Sequence, residues 1–137
     1  MKRLFLDTNV VIDLLGERLP FYNSIAVIAS MSDRKEVELV ISALSFSTVY
    51  YVLAKKENPT IVRLKLSKIK TLSKISDLTD LIIEKGLISN FSDFEDSLQY
   101  HSALEKNCDI IITRNAKDFK RSELPLMTAD EYLVSIK

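Results

Sequence analysis

The segment that most constrains the fold is residues 109–113, where three consecutive isoleucines stand between Asp109 and Thr113. A short run of β-branched apolar residues with polar ends is typical of a strand buried on both faces of a parallel sheet. Parallel strands need long crossover connections, which are usually helices. The segment therefore predicts an α/β fold, and a chain of 137 residues is long enough to form it as one domain, residues 1–137, with its own core.

Other apolar runs alternate with helical patterns along the chain. We predict further strands at 3–7, 37–41, 75–77 and 126–127. We predict helices at 9–15, 20–31, 43–56, 59–72, 78–87 and 92–106, and a last helix from 128. The helix starts depend on capping and first-turn residues: Ser42, Pro20, Pro59, and capping boxes at 92–95 and 128–131. This alternation favours helices packed around a mostly parallel sheet.

Composition excludes several classes of protein. The single cysteine, Cys108, rules out an internal disulfide framework and a cysteine-rich zinc site, and we interpret it as a small buried apolar residue. No apolar run approaches the ~20 residues that span a bilayer. Asp7 lies where a secretory signal would stay apolar, so we expect a cytoplasmic protein without a signal peptide or a membrane partner.

The charges balance overall but are distributed unevenly. Nineteen basic and nineteen acidic residues cancel, so net charge alone does not favour nucleic acid. Residues 55–74, however, contain seven basic side chains and one acid, Glu57. On a helix from Pro59, we expect Arg63, Lys70 and Lys74 to fall near one stripe that could follow an RNA backbone, although a solvated basic face is equally consistent with the pattern.

Acidic residues follow two of the predicted strands and open one helix. Asp7 ends the first strand, and Asp118 follows the strand at 109–113 after a brief turn. Asp93 and Asp96 are three residues apart at a helix start, so their carboxylates can project on one side. Ligand sites of parallel sheets form at the carboxyl ends of strands, and acids that converge there would suit a divalent cation such as Mg²⁺.

Each acid also has a plainer interpretation when taken alone. Asp93 would be an ordinary first-turn helix acid, Asp118 a solvated loop residue, and Asp13 a surface or capping acid. We interpret the lone histidine, His101, as a structural or surface residue because a metal-bound water needs no separate base. The predicted metal site therefore depends on the fold bringing the acids together.

Three segments, DTNVVIDLL at 7–15, DFEDSLQYHSA at 93–103 and IITRNAKDF at 111–119, resemble the signature segments of PIN-domain ribonucleases. The likeness is greatest to the VapC-like toxins of bacterial toxin–antitoxin pairs, and it covers nearly the whole chain in the family's order. It implies a three-layer α/β/α sandwich and cleavage of RNA that depends on Mg²⁺ or Mn²⁺. It also implies an antitoxin protein as a partner, and it allows a homodimer because such toxins often dimerise.

The resemblance also assigns roles to individual residues. It implies that Asp7 and Asp96 bind the metal and act in catalysis, that Asn115 or Asp118 supplies the acid after the third segment, and that Asp93 is a neighbouring ligand. Between Asn115 and Asp118, only Asp118 carries a negative charge. The residues with supporting roles are Asn9, which would hydrogen-bond near the site, and Thr113 and Arg114, which would position their segment, with Arg114 also able to meet a phosphate.

Two positions depart from the family pattern. Thr48 stands where many such nucleases have a glutamate, and Asn115 stands where many have an aspartate. A second hypothesis is therefore a PIN-like module that binds RNA or a partner with little or no catalysis. A third is a phosphohydrolase or phosphoacceptor domain, which also places an acid after the first strand. One such pattern needs a second acid at the position of Asn9, which disfavours it.

Overall fold

The computed structural model describes residues 1–137, and its centre is a five-stranded parallel sheet. The strands are β1 (Lys2–Leu6), β2 (Val37–Ser42), β3 (Ser73–Ser76), β4 (Ile110–Ile112) and β5 (Leu126–Met127), in the order β3-β2-β1-β4-β5. Phe5 of β1 pairs with Val40 on one side and with Ile111 on the other. The chain builds outward from β1 in both directions, so the gap between β1 and β4 is a topological switch point.

Helices connect the strands. They are α1 (Thr8–Leu15), α2 (Tyr22–Asp33), α3 (Ala43–Leu53), α4 (Pro59–Leu72), α5 (Asp80–Ile88), α6 (Phe94–Glu105) and α7 (Ala129–Ser135), with a 3₁₀ turn at Ala116–Phe119. The Ser42 side chain accepts a hydrogen bond from the Leu44 amide and so caps α3 as predicted. The capping box that opens α7 is also present, with Thr128 and Glu131 bonded reciprocally.

Both faces of the sheet are covered by helices. Successive strand residues point to opposite faces, so Leu4 and Leu6 join an apolar cluster with residues of α1, α2, α3, α4 and α7. Phe5 lies between them in sequence and joins a second cluster with residues of α6 and the 3₁₀ turn. The predicted three-layer α/β/α sandwich on a parallel sheet is therefore confirmed.

Cys108 lies in the second cluster, against α6 and Phe5, and is buried as predicted. Burial raises the pKa of its thiol to about 12, so the thiol stays protonated near neutral pH. None of the helices is both long enough and apolar enough to span a membrane.

Several predicted boundaries are wrong. Helix α2 begins at Tyr22 and not at the predicted Pro20. Pro20 lies in a preceding turn, which the Tyr22 amide closes by donating to the Arg18 carbonyl. Helix α3 ends at Leu53, three residues before its predicted end. Ser92 does not cap α6. Asp93 takes that place, since its side chain accepts a hydrogen bond from the Asp96 amide at 3.0 Å.

The predicted basic stripe is not formed. Arg63 and Lys70 are exposed on α4, but the helix ends at Leu72 and Lys74 lies in β3. The Lys74 ammonium group pairs with Glu38 at 2.7 Å, near the amino ends of the strands and away from Asp7. Lys74 therefore does not lie on α4 with Arg63 and Lys70.

Candidate active site

Asp7 lies at the carboxyl end of β1, in the gap next to β4, and its side chain is held by two hydrogen bonds. Oδ1 accepts from the Thr8 amide at 2.8 Å, and Oδ2 accepts from the Thr113 hydroxyl at 2.9 Å. The residue is only 5% exposed. Burial raises the pKa of Asp7, the two hydrogen bonds oppose that shift, and the negative charges of Asp118 and Glu95 add to it.

Asp96 lies in the first turn of α6 and is half-buried. Its pKa is raised to about 7, first by burial and then by the negative charges of Asp93, Asp7, Asp118 and Glu95. The charges of Asp7, Asp93 and Asp118 therefore all act on Asp96, and the charge of Asp118 also acts on Asp7, at one edge of the sheet. Glu95 is a fifth member of this group, which the sequence predicted only as part of a capping box.

Carboxylates that repel one another in this way favour binding of a cation. No three carboxylate, imidazole or thiolate side chains come close enough to enclose an ion by themselves. Mg²⁺ is nevertheless commonly held by one or two carboxylates and completes its coordination shell with water. Burial is the main cause of the raised pKa values of Asp7 and Asp96, and neighbouring carboxylates add to it while no cationic side chain opposes it, so the residues present fit such an ion.

A buried polar network that the sequence did not predict lies behind Asp7. The hydroxyls of Thr8 and Ser45 are 2.7 Å apart, and the Gln99 amide nitrogen donates to both, at 3.1 Å in the case of Ser45. Gln99 is 1% exposed, and its carbonyl oxygen has no hydrogen-bond partner. The network joins α1, α3 and α6. Its one sequence signal is the spacing of Gln99, three residues after Asp96 on the same side of the helix.

Asp13 is not the surface or capping acid that was predicted. It is 1% exposed, and its carboxylate accepts two hydrogen bonds from Arg114, at 2.6 and 3.1 Å. The Arg114 guanidinium also lies over the Phe21 ring, 3.9 Å from its centroid. Arg114 is thus fixed between α1 and the turn before α2, immediately after the residue that binds Asp7.

The other residues with predicted supporting roles have weaker contacts. Asn9 is half-buried, and its side chain makes no hydrogen bond within the chain. The Asn115 amide donates to the Thr113 hydroxyl at 3.0 Å, and its carbonyl accepts from the amide of exposed Asp118 at 2.9 Å. The Thr48 hydroxyl donates to the Leu44 carbonyl at 3.4 Å, so α3 offers no charge at that position.

The strand order, the covered parallel sheet and the acids at the switch point define a class of small α/β proteins with a candidate metal site at one sheet edge. Residues 3–117 match the PIN domain family, and the chain belongs to that family.

Proteins of known identity resemble the chain over most of its length. Ribonuclease VapC1 of Aquifex aeolicus is 29% identical, and the match covers 96% of this chain and 93% of that protein. The crystal structure of VapBC2 from Rickettsia felis, bound to promoter DNA, aligns over 92% of this chain and 98% of its own, with a TM-score of 0.65 and 21% identity. VapC20 of Mycobacterium tuberculosis, described as a sarcin–ricin loop cleaving toxin, aligns over 86% and 94%, with a TM-score of 0.68 and 10% identity.

Proposed function

We propose that the protein is a metal-dependent endoribonuclease that hydrolyses RNA phosphodiester bonds and acts as the toxin of a toxin–antitoxin pair. The observation that carries the proposal is the convergence of Asp7, Asp96 and Asp118 at the switch point of a PIN-family sheet. The name of the Aquifex aeolicus relative supports ribonuclease activity. The Rickettsia felis structure, which holds VapBC2 on promoter DNA, supports an antitoxin partner.

Asp7, Asp96 and Asp118 are the proposed ligands of Mg²⁺ or Mn²⁺, with Asp93 as an auxiliary ligand. A bound divalent ion would lower the pKa of a coordinated water and orient the scissile phosphate. Each Asp7 oxygen accepts one hydrogen bond, which leaves each with capacity to face a cation. Asp96 has a pKa of about 7, so its protonated form would have to lose a proton to bind such an ion.

The proposal includes further expectations about location, assembly and supporting residues. The toxin assignment favours a cytoplasmic location, where RNA and an antitoxin are available, and it allows a homodimer. Asn9 and Asn115 are proposed as polar supports of the site. Arg63 and Lys70 remain candidates for outlying RNA contacts because both are exposed on α4.

The second candidate is a PIN-like module that binds RNA or a partner without efficient catalysis. It is favoured by the absence of three ligand side chains close enough to enclose an ion. Thr48 and Asn115 support it as well, because neither side chain adds negative charge near the acids.

Calorimetric titration with Mn²⁺ distinguishes the two candidates. The wild type, Asp7→Asn and Asp96→Asn would be compared, with Asp33→Asn as a matched control at an exposed position that ends α2. We expect saturable binding in the wild type and the control, and loss of binding in both site variants. Cleavage of single-stranded RNA by the wild type should be abolished by a chelator and restored by Mn²⁺.

Two results would count against the nuclease. If Asp7→Asn cleaved RNA as well as the wild type, the assignment of the site would be wrong. If the wild type bound no Mn²⁺, with or without RNA present, and still bound RNA in a chelator, the binding module would be the better description.

A further inference from the structure

A small cleft of about 150 Å³ opens beside the acidic site, between residues 90–92 and residues 117–121. Asp118 lines this cleft and is also one of the acids whose charge acts on Asp7 and Asp96. The two features therefore share one residue and lie next to each other at the same edge of the sheet.

The two walls of the cleft rest on one aromatic cluster. Phe91, on the first wall, stacks on Tyr100 with ring centroids 5.1 Å apart. Phe119, beneath the second wall, meets Phe91 edge-on at 6.1 Å and is 1% exposed. The Tyr100 hydroxyl also accepts a hydrogen bond from the Glu123 amide at 3.2 Å. Because Phe119 points into the core, its neighbours in sequence are held at the surface, facing the cleft.

Three cationic residues line the cleft: Lys117, Lys120 and Arg121. All three are exposed, and none forms an ion pair, whereas other basic side chains, such as Lys65 and Lys74, are paired with glutamates. Asp118 is the only acid on the cleft walls, so the lining carries excess positive charge directly beside a cluster of carboxylates. A phosphodiester chain that meets a metal ion at the acids can place a neighbouring phosphate against these cations.

We propose that this cleft binds a phosphate of single-stranded RNA adjacent to the phosphate that is cleaved, with Lys120 and Arg121 as its principal ligands. The inference rests on the proposed function, because it names where the substrate of that site continues. The Phe91 ring on the opposite wall packs against Tyr100 and Phe119 and so fixes that wall. Because the cleft adjoins the acids proposed to act on RNA, RNA is favoured over an acidic peptide as the occupant.

The test measures binding of a short, fluorescein-labelled, single-stranded RNA of mixed sequence by fluorescence anisotropy. EDTA is present so that no cleavage occurs. The variant is Lys120→Gln with Arg121→Gln. The matched control is Lys55→Gln with Lys56→Gln, an adjacent exposed pair outside the cleft. We expect the cleft variant to weaken binding roughly tenfold and to make the dependence of log K on log salt less steep by about one, since one phosphate contact is lost. The control should change both quantities much less.

Equal effects of the two double variants, or unchanged binding in the cleft variant, would overturn the inference. So would a failure of the wild type to bind RNA, or competition by an acidic peptide as strong as that by unlabelled RNA. Cleavage assays separate this inference from the proposed function. Mn²⁺-dependent cleavage by the wild type, together with unchanged RNA binding by the cleft variant, would support the nuclease function and contradict the cleft as an RNA site. Weakened RNA binding by the cleft variant, with no cleavage by the wild type, would support the cleft as an RNA site and contradict the nuclease function.

Discussion

Arg114 donates two hydrogen bonds to the carboxylate of Asp13, although 101 positions separate the two residues in the sequence. The pair is asymmetric in burial, since the Asp13 side chain is 2% exposed and that of Arg114 is 28% exposed. It joins α1 to the segment that follows β4. Thr113, which bonds Asp7, is the residue immediately before Arg114, so this pair supports the position of the candidate active site.

Arg114→Met should destabilise the protein because it leaves the Asp13 carboxylate buried without a partner. We expect a loss of about 3 kcal/mol in the free energy of unfolding, measured by urea denaturation. Arg34→Met is the control, since the pair of Arg34 with Glu36 is exposed and should contribute little. If both variants lost the same stability, the Asp13 pair would have no special structural role.

Binding of Mn²⁺ should strengthen as the pH rises. The pKa of Asp96 is raised to about 7, and only its ionised form binds a cation. We therefore expect affinity to increase roughly tenfold between pH values of about 6 and 8. The stability of the metal-free protein should instead fall as the pH rises. Because the folded state holds this proton more tightly than the unfolded chain, the contribution of Asp96 to stability is complete below pH ~4 and is lost as the pH rises through about 7.

Calorimetry at several pH values and denaturation of the metal-free protein test these two trends. Asp93→Ser is an informative variant because serine can still cap α6 while one negative charge beside Asp96 is removed. It should move the pH midpoint of metal binding downward. A midpoint that stayed in place would show that the charge of Asp93 does not act on Asp96.

Gln99→Leu should separate stability from activity. It removes two hydrogen bonds but also a buried carbonyl oxygen that has no partner, and the hydroxyls of Thr8 and Ser45 remain bonded to each other. Stability should change by no more than about 1 kcal/mol. RNA cleavage should fall by about tenfold, because α6 and its Asp96 lose their connection to the Asp7 end of α1.

The readouts for Gln99→Leu are thermal unfolding, cleavage rate and Mn²⁺ affinity. Ser102→Ala is the control on the same helix, since the Ser102 hydroxyl is also buried without a partner and does not contact Thr8. It should leave cleavage unchanged. If Gln99→Leu cleaved RNA at the wild-type rate, Gln99 would be a packing residue only.

Thr48→Glu should increase the affinity for Mn²⁺. Thr48 is three residues after Ser45 on α3, and Ser45 is bonded to Thr8, next to Asp7. A carboxylate at position 48 would therefore lie on the helix side that faces the acids and would add negative charge there. Thr48→Gln is the control, because a glutamine side chain has the length of glutamate without its charge. Equal affinities of the two variants in calorimetry would show that position 48 does not face the ion.

Local chemistry accounts for the parts of the fold that were predicted correctly. The isoleucines of β4 are apolar on both faces. Ser42 and Thr128 cap their helices by accepting hydrogen bonds from nearby amides, and Pro59 occupies the first position of α4. The errors also have local causes. At the start of α6, Ser92 and Asp93 are both good capping residues. In the folded backbone, the Asp96 amide donates its hydrogen bond to the Asp93 side chain. Pro20 is compatible with a first helical turn and with the turn it occupies.

The sequence by itself determined the parallel α/β architecture, the family resemblance and the acids that end β1 and open α6, because strand pattern, capping and motif spacing are local properties of the chain. Only the tertiary structure decided which side chains meet. It buried Asp13 against Arg114, placed Gln99 behind Asp7, added Glu95 to the acids, and paired Lys74 with Glu38. Burial, pKa and ion pairing depend on neighbours that are distant in sequence, and the packing of helices on the sheet selects those neighbours.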